Sequence, residues 1–417
     1  MNSISQIERN GRQPVIVGAA RTPVGRFMGG LGELSSATLG AAAVRAAVER
    51  AGIDPATVYE LIMGQVVPAG AGQAAARHAA LGGGLPDNVG AVSVNKACGS
   101  GLKAVMLAAN SIIAGEAEVF VAGGMESMSQ APYLVPRARQ GLRYGHATLE
   151  DSLLKDGLWC GFENWAMGNA AEFIAQQFEV TRAEMDEFAF RSHEKAAQAT
   201  ADGRFQAEIV PVEIKGRKGT VTIAQDEGIR ANFENGGYTM LTSLEQLAKL
   251  PPAFDKDGQV TAGNAPGLND GGAAVVVTSQ AEAERQGLAP LARIVGYTHA
   301  AVAPKWLFAA PARAIPRLLA RVGWTLADVD LIELNEAFAA QILANGVDMK
   351  QQGLNWSWDK VNVHGGAIAL GHPIGASGAR ILVTLIYALQ QHGLKRGIAS
   401  LCLGGGEAVA LAVELVD

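Results

Sequence analysis

Short runs of valine and isoleucine alternate along the chain with alanine- and leucine-rich segments in which apolar residues recur at helical spacing. The apolar run at 14–20 precedes a helical pattern at 35–52, and a helical pattern at 100–118 precedes an apolar run at 119–124. This alternation predicts an α/β fold. Because the runs are apolar on both faces, they also favour a largely parallel sheet that helices cover on both sides.

The same order of elements occurs twice. The segment 48–65 aligns without gaps with 319–336. In both parts of the chain there follows a strand, then a Ser-Gly that opens an apolar helix, and then a strand that ends in glycines. The repeat predicts two similar α/β halves packed together, with chance similarity of two amphipathic patterns as the alternative.

The stretch between the repeats, 128–251, has a different character. It contains clusters of Pro, Tyr, Trp and Arg, helical patterns at 167–178 and 181–202, and the basic segment 215–219. We predict that it is an excursion from the first half that covers a site. The first half would then span 1–127, completed by about 252–287, and the second half would span 288–417.

Composition narrows the class of protein. Apolar residues make up 49% and charged residues 18%, with a net charge of −6, which is typical of a soluble globular protein and gives no sign of nucleic-acid binding. The N-terminus lacks the apolar segment of a secretory signal, and polar residues or glycine interrupt every apolar stretch before it could span a bilayer. We therefore predict a cytoplasmic protein without a membrane partner.

Three cysteines are too few for a disulfide framework in 417 residues, so each is either a buried apolar side chain or a reactive thiol. Cys98 lies in VNKACGSGLKA, between a predicted strand and a predicted helix. The positive end of a helix lowers the pKa of a thiol and favours a nucleophilic thiolate. The alternative is a structural cysteine.

Three other segments carry candidate chemistry. The loop NVHGGAIALGHPIGASGAR holds His364 and His372 among five glycines, which predicts a tightly folded loop. Cys402 ends an apolar strand before three glycines, whose N–H groups could form an oxyanion hole. Asn335 follows a strand and is expected to begin a helix, either as a functional amide or as a cap. The cysteines and histidines are far apart in sequence and no C-x-x-C occurs, so we predict no metal site.

Together these segments resemble the thiolase family. The motifs occur in the family's order from about Pro14 to Val416: GAARTPVGRFMG, VNKACGSGL, AGGMESMSQAPY, FDKDGQVTAGN, LNEAFAAQ, GGAIALGHPIGASGAR and LCLGGG. The resemblance implies two pseudo-symmetric five-stranded α/β halves in a layered αβαβα arrangement, with an inserted loop domain.

The resemblance also implies an acyltransferase that joins two acetyl-CoA molecules into acetoacetyl-CoA or cleaves 3-ketoacyl-CoA. Cys98 would carry the acyl group, His372 would activate that thiol and donate to the enolate oxygen, and Cys402 would move the α-proton. Asn335 would hold a water near His372, and the backbone N–H groups of Cys98 and Gly404 would form an oxyanion hole.

The residues expected along the substrate are Phe254, Met167, Leu307, Phe308 and His364, several of which depart from the usual family pattern. Coenzyme A and acetyl-CoA are expected as substrates, with no permanently bound cofactor, and a homodimer or homotetramer is expected. Preference for acetoacetyl-CoA or for longer chains stays open.

Two other functions deserve comparison. A ketoacyl synthase of related fold pairs one cysteine with two histidines, which His364 would fit but Cys402 would not. A catalytically inactive acyl-CoA-binding subunit would be expected to lack one of the four catalytic side chains, and all four are present.

Overall fold

A computed structural model describes residues 11–216, 219–234 and 236–416, so the interpretations of residues 1–10 and of the centre of the basic segment 215–219 lie outside it. The strands are β1 Pro14–Arg21, β2 Gly25–Arg26, β3 Glu60–Gly64, β4 Gly90–Val94, β5 Val119–Ser127, β6 Tyr133–Leu134, β7 Glu150–Asp151, β8 Trp159–Cys160, β9 Trp165–Ala166, β10 Val212–Gly216, β11 Gly219–Ile223, β12 Ala231–Glu234, β13 Gly237–Met240, β14 Asn269–Ser279, β15 Ala292–Ala301, β16 Leu331–Leu334, β17 Arg396–Leu403 and β18 Glu407–Leu415.

The α-helices are α1 Ser36–Ala51, α2 Ala75–Gly82, α3 Ser100–Ala114, α4 Met167–Gln177, α5 Arg182–Ala201, α6 Leu244–Ala248, α7 Gln280–Gln286, α8 Pro311–Val322, α9 Ala339–Gln351, α10 Ala367–Leu370 and α11 Ile374–His392. Local signals mark many of their ends. The hydroxyl of Ser35 accepts a hydrogen bond from the N–H of Thr38 at the start of α1, and Gly52 ends that helix in the left-handed conformation.

Ten strands of the described chain form one sheet in the order β16-β17-β18-β15-β1-β14-β5-β3-β4, with β2 paired to β14. The predicted α/β class is confirmed, but the expectation of a largely parallel sheet is wrong. Only β3–β4, β3–β5 and β16–β17 pair in parallel within it. The central strands β1, β14, β15 and β18 are antiparallel to their neighbours, yet β1 and β14 are buried along their whole length because helices cover both of their faces.

The sheet consists of two halves joined by a short pairing of β1 with β15, at Val15 and Ile16. The first half contains β1, β14, β5, β3 and β4. The second contains β15, β18, β17 and β16, and Val361 extends it by a single parallel bridge to Ile332. The aligned segments 48–65 and 319–336 both run from the end of a helix through a 3-10 turn into a strand, as the repeat predicted.

Helices α3 and α11 lie between the halves and form the middle layer. Apolar side chains from both helices pack against strands of both halves in one core, which includes Leu102, Ile112, Ile381 and Leu385. Each fully buried leucine or isoleucine contributes roughly 1.5–3 kcal/mol to stability. Helices α1 and α2 cover the outer face of the first half, while α8 and α9 cover that of the second.

The segment between β5 and β14 contains helices α4 to α6 and four two-stranded ribbons. One of these ribbons pairs Ala231–Glu234 with Gly237–Met240. The division of the chain at 127, 251 and 287 stays a prediction.

One helical stretch of the described chain, Ala97–Ala114, is long and apolar enough to cross a membrane by length and composition. It coincides with α3, the helix at the centre of the core.

Candidate active site

Cys98 lies in the short turn between β4 and α3, as the sequence predicted. The preceding residue, Ala97, has a φ of 43°, which is uncommon for a side chain other than glycine. The hydroxyl of Ser100 holds the turn, since it accepts a hydrogen bond from the N–H of Lys96 at 2.8 Å and donates to the carbonyl of Ala97 at 2.6 Å. The turn therefore presents the thiol on a fixed backbone.

Gly99 allows this turn to reach the second half of the molecule. A Cβ atom at this position would lie 2.3 Å from Cδ2 of Leu403, a distance that non-bonded carbons do not adopt. Leu403 ends β17 and directly follows Cys402. The glycine after the first cysteine thus permits the two cysteine-bearing segments to pack together.

The two thiols open onto a cavity of about 160 Å³ between the halves and the excursion. Every predicted site residue except Asn335 and His364 lines this cavity: Cys98, His372, Cys402, Gly404, Met167, Phe254, Leu307 and Phe308. Its other lining is mainly apolar and includes Phe338 and Pro266. The arrangement places two thiols and an imidazole in one mainly apolar cavity.

The pKa values of the two thiols are raised, whereas the helix terminus predicted a lowered pKa for Cys98. Burial raises the pKa of Cys98 to about 11, and hydrogen bonding to the backbone N–H groups of Cys98 and Gly404 offsets this only in part. Burial and the neighbouring Cys98 also raise the pKa of Cys402 well above its ordinary value. The expectation of a lowered pKa for Cys98 is therefore wrong, because desolvation of the thiolate outweighs the helix terminus.

This pKa has a direct consequence for alkylation. The rate at which iodoacetamide modifies Cys98 is expected to keep rising between pH 8 and pH 10, because only the thiolate reacts and its fraction increases up to the pKa. Cys98 is also expected to react before Cys160, since Cys98 is partly exposed and Cys160 is buried. Peptide mapping at several pH values measures both. A rate that levels off below pH 8.5, or Cys160 labelled first, would contradict the raised pKa or the accessibility.

His372 is held in one tautomer by Ser377. The Ser377 hydroxyl donates its single hydrogen to the carbonyl of Pro373 at 2.9 Å, so it accepts from Nδ1–H of His372, 2.6 Å away. Nε2 is then the unprotonated nitrogen and can accept a proton. Burial, and to a lesser degree Arg380, lower the pKa of His372 to about 3, so the ring is neutral near pH 7.

Asn335 lies beside the cavity, in a loop and not at the start of a helix. It directly follows β16, its N–H donates to the carbonyl of Ser400 at 3.0 Å, and α9 begins only at Ala339. The expectation that Asn335 begins a helix is therefore wrong. Its side chain is buried, and neither Oδ1 nor Nδ2 has a hydrogen-bond partner among the described residues. Such an amide can hold a water or a substrate atom.

The structure does not bring His364 to this cavity. Its ring packs edge-on against Phe205 and lies 5.5 Å from the ring of His392, in a separate cavity near the C-terminal end of α11. Burial, followed by the nearby His392, lowers the pKa of His364 to about 4. A pKa this low keeps the imidazole neutral near pH 7.

Replacing His364 by asparagine is therefore expected to leave the pH dependence of kcat/KM unchanged above pH 5. The histidine gains its proton only as pH falls through about 4, so no charge is lost in the working range. The measurement is kcat/KM against pH for both proteins. A higher pKa on the acidic limb of the variant's profile would mean that a charged His364 supports a thiolate.

Several residues around the site were not singled out from the sequence. The side-chain oxygen of Asn269 accepts a hydrogen bond from the N–H of His372 at 2.8 Å. The buried carboxylate of Glu126 accepts from the N–H groups of Val66, Val67 and Gly375. Glu126 lies in AGGMESMSQAPY, so its motif could have pointed to it, whereas Asn269 lies outside every motif quoted above. Their contacts to His372 and Gly375 join residues more than a hundred positions apart, which the sequence alone does not reveal.

Comparison with known families supports the motif-based resemblance. Residues 14–281 match the family domain described as "Thiolase, N-terminal domain", and residues 288–415 match "Thiolase, C-terminal domain". The two matches together cover nearly the whole chain.

Individual proteins agree with this. An acetyl-CoA acetyltransferase of Cupriavidus necator is 52% identical over 96% of this chain and 98% of its own length. One from Pseudomonas aeruginosa is 51% identical over the same shares. The solved structure of an acetyl-CoA acetyltransferase from Syntrophomonas wolfei superimposes with a TM-score of 0.93 at 41% identity, over 97% of this chain and 99% of that one. The enzyme from Bacillus anthracis gives 0.91 at 44% identity, with the same coverage.

Proposed function

The chain belongs to the thiolase family, and we propose that it is an acetyl-CoA C-acetyltransferase that works through an acyl thioester on Cys98. The reaction is the reversible condensation of two acetyl-CoA molecules to acetoacetyl-CoA and free CoA, or in reverse the thiolysis of a 3-ketoacyl-CoA. The observation that carries the proposal is the convergence of Cys98, His372 and Cys402 on one apolar cavity.

The first step transfers the acetyl group to the enzyme. Nε2 of His372 takes the proton of Cys98, and the thiolate attacks the thioester carbonyl of acetyl-CoA. The N–H groups of Cys98 and Gly404, which already face the sulfur of Cys98, would hold the tetrahedral oxyanion. The C–S bond to CoA then breaks, His372 returns the proton to the departing sulfur, and free CoA leaves.

The second step forms the carbon–carbon bond. Cys402 first loses its thiol proton to solvent; as the thiolate it removes an α-proton from a second acetyl-CoA, and the enolate attacks the carbonyl of acetyl-Cys98. A water held by the unpartnered amide of Asn335, together with His372, would stabilise the enolate oxygen. Breaking the Cys98 thioester releases acetoacetyl-CoA and leaves the Cys98 thiolate, which takes a proton from solvent. Cys402 keeps the α-proton, so both thiols are restored.

The proximity of the two thiols gives the order of these two steps a physical reason. A negative charge on Cys98 raises the pKa of Cys402, so both cannot be thiolates together in a buried site. Acetylation turns Cys98 into a neutral thioester and removes that repulsion. Cys402 is therefore easier to ionise after the first step, when a base is needed, than before it.

The apolar cavity suits the pantetheine arm and a short acyl group. Met167, Phe254, Leu307 and Phe308 are proposed to line it, and Phe308 and Phe338 pack edge-to-face at 5.5 Å. CoA thioesters enter as substrates, and the proposed chemistry requires no permanently bound cofactor.

We also propose a homodimer or homotetramer. Strand β4 forms one edge of the sheet with Val92 38% exposed, and the segment 133–162 carries exposed Tyr133, Leu142, Tyr144, Leu149 and Phe162. Unpaired strand edges and clustered exposed apolar side chains are typical of protein interfaces. The molar mass in solution tests this.

Thiolysis of 3-ketoacyl-CoA substrates of increasing chain length tests the proposed function. Acetoacetyl-CoA is expected to give the highest kcat/KM, because the cavity is small and aromatic rings border it. Higher kcat/KM for longer chains would shift the assignment to a degradative 3-ketoacyl-CoA thiolase, and no thiolysis at any length would contradict the function.

A further inference from the structure

The residue after Asn335 is a buried carboxylate with no place in the steps above. Glu336 is 1% exposed. Its Oε1 accepts a hydrogen bond from Nδ2 of Asn362 at 2.9 Å, and its Oε2 accepts from Oγ of Ser192 at 2.7 Å and from the N–H of Ile368 at 3.1 Å. A buried carboxylate with three donors is a strong anchoring point.

These donors belong to two different parts of the chain. Asn362 and Ile368 lie in the loop that leads to His372, whereas Ser192 lies on α5 of the excursion. The hydroxyl of Ser192 also accepts from the N–H of Gly366 at 3.1 Å, which ties the same loop a third time. A Cβ atom at Gly366 would lie 2.2 Å from Cδ of Glu336, so the carboxylate packs directly against this backbone.

Asn335 itself lacks such an anchor. Its amide has no hydrogen-bond partner among the described residues, so its orientation depends on its backbone. That backbone is held on one side by the bond to the carbonyl of Ser400 and on the other by the side chain of Glu336. One carboxylate thereby links the loop of Asn335 to the loop of His372.

We propose that Glu336 is a positioning residue, which holds the Asn335 amide at a fixed place relative to His372 so that both can act on the enolate oxygen. The proposal rests on the proposed function. It assigns Glu336 a role in enolate formation and none in the transfer of the acetyl group to Cys98, where the oxyanion donors are backbone groups of Cys98 and Gly404.

Glutamine cannot replace this carboxylate in either orientation. An NH2 group at the Oε1 position faces Nδ2 of Asn362, and one at the Oε2 position faces the N–H of Ile368; both contacts would oppose two donors. Asn362 cannot rotate to relieve the first, because its amide accepts from the N–H of Leu334 and donates to the carbonyl of Leu334. The backbone of Asn335 and Glu336 must therefore shift, whereas His372 stays held by Asn269 and Ser377.

The test compares two partial reactions of Glu336→Gln. Exchange of the acetyl α-protons of acetyl-CoA for deuterium reports enolate formation, and exchange of labelled CoA into acetyl-CoA reports acyl transfer. We expect α-proton exchange to fall at least about tenfold while CoA exchange falls less than about threefold, since small displacements of positioned groups are costly for the step they serve. Equal losses in the two reactions, or no loss, would overturn the proposal.

Three further variants make the result specific. Ser192→Ala removes one donor to Glu336 and should shift the ratio of the two rates in the same direction by a smaller factor. If Glu336→Gln does not fold, Ser192→Ala is the deciding variant. An unchanged ratio in Ser192→Ala would overturn the proposal. Glu227→Gln is the matched control, because Glu227 also accepts backbone N–H groups, from Arg26 and Gly30, outside this site. It should leave the ratio unchanged, and an equal shift would mean that general loosening causes the effect.

Asn335→Ala separates failure of this proposal from failure of the proposed function. If Asn335→Ala selectively loses α-proton exchange and Glu336→Gln does not, the positioning role alone is overturned. If Asn335→Ala loses neither or both equally, the assigned role of Asn335 fails, and the role of Glu336 fails with it.

Discussion

Replacing Cys98 by alanine is expected to lower kcat for acetoacetyl-CoA thiolysis by at least about 10⁴-fold, the scale seen when a nucleophile is removed from a concerted catalytic group. Alanine cannot form the acyl thioester, and no other thiol of the described residues except Cys402 reaches the cavity. The protein should still fold, because Cys98 is only partly buried and the change is small. Steady-state thiolysis and the circular dichroism spectrum measure the two effects.

Cys160→Ala is the matched control. Cys160 is buried in β8 and does not line the cavity, so its loss should cost some stability but little activity. A Cys98→Ala enzyme within tenfold of the parent would mean that the covalent route is wrong.

Replacing Cys402 by serine is expected to lower exchange of the acetyl α-protons for deuterium by about 10²–10⁴-fold, the range for loss of a general base. A hydroxyl has a far higher pKa than a thiol and cannot accept the proton at neutral pH. Acetylation of Cys98 should continue, since His372 and the two backbone N–H groups that serve it are unchanged. Mass spectrometry of the acetylated enzyme and NMR of the exchanged substrate provide the two readouts.

Normal α-proton exchange in Cys402→Ser would mean that another group is the base. Loss of Cys98 acetylation in the same variant would instead show that Cys402 is needed for the first step. Cys160→Ala again serves as the control for removal of a buried thiol.

Local sequence predicted the elements and their order well. The patterns at 35–52, 167–178 and 181–202 became helices α1, α4 and α5 within a residue or two. Helical periodicity, caps and glycines act over a few residues, which is why they can be read directly from the chain. Motif order then identified Cys98, His372 and Cys402, which the structure brings to one cavity.

Features that depend on contacts between distant parts of the chain were harder to predict. The helix terminus suggested a lowered pKa for Cys98, but the apolar surroundings that raise it come from segments hundreds of residues away, such as Leu403. The family resemblance suggested that His364 lies along the substrate, but the chain turns between His364 and His372 and places His364 against Phe205. The antiparallel pairing of β1 with β14 joins segments on either side of the excursion, which periodicity does not report.

The most direct test of the covalent mechanism is to find the acetyl group on the enzyme. The protein is mixed with acetyl-CoA in the absence of free CoA, quenched in acid, digested and analysed by peptide mass spectrometry. We predict the mass of one acetyl group on the peptide that contains Cys98, and its disappearance when CoA is added before the quench. Acetylation on Cys402 in place of Cys98, or a mark that added CoA cannot remove, would contradict the mechanism.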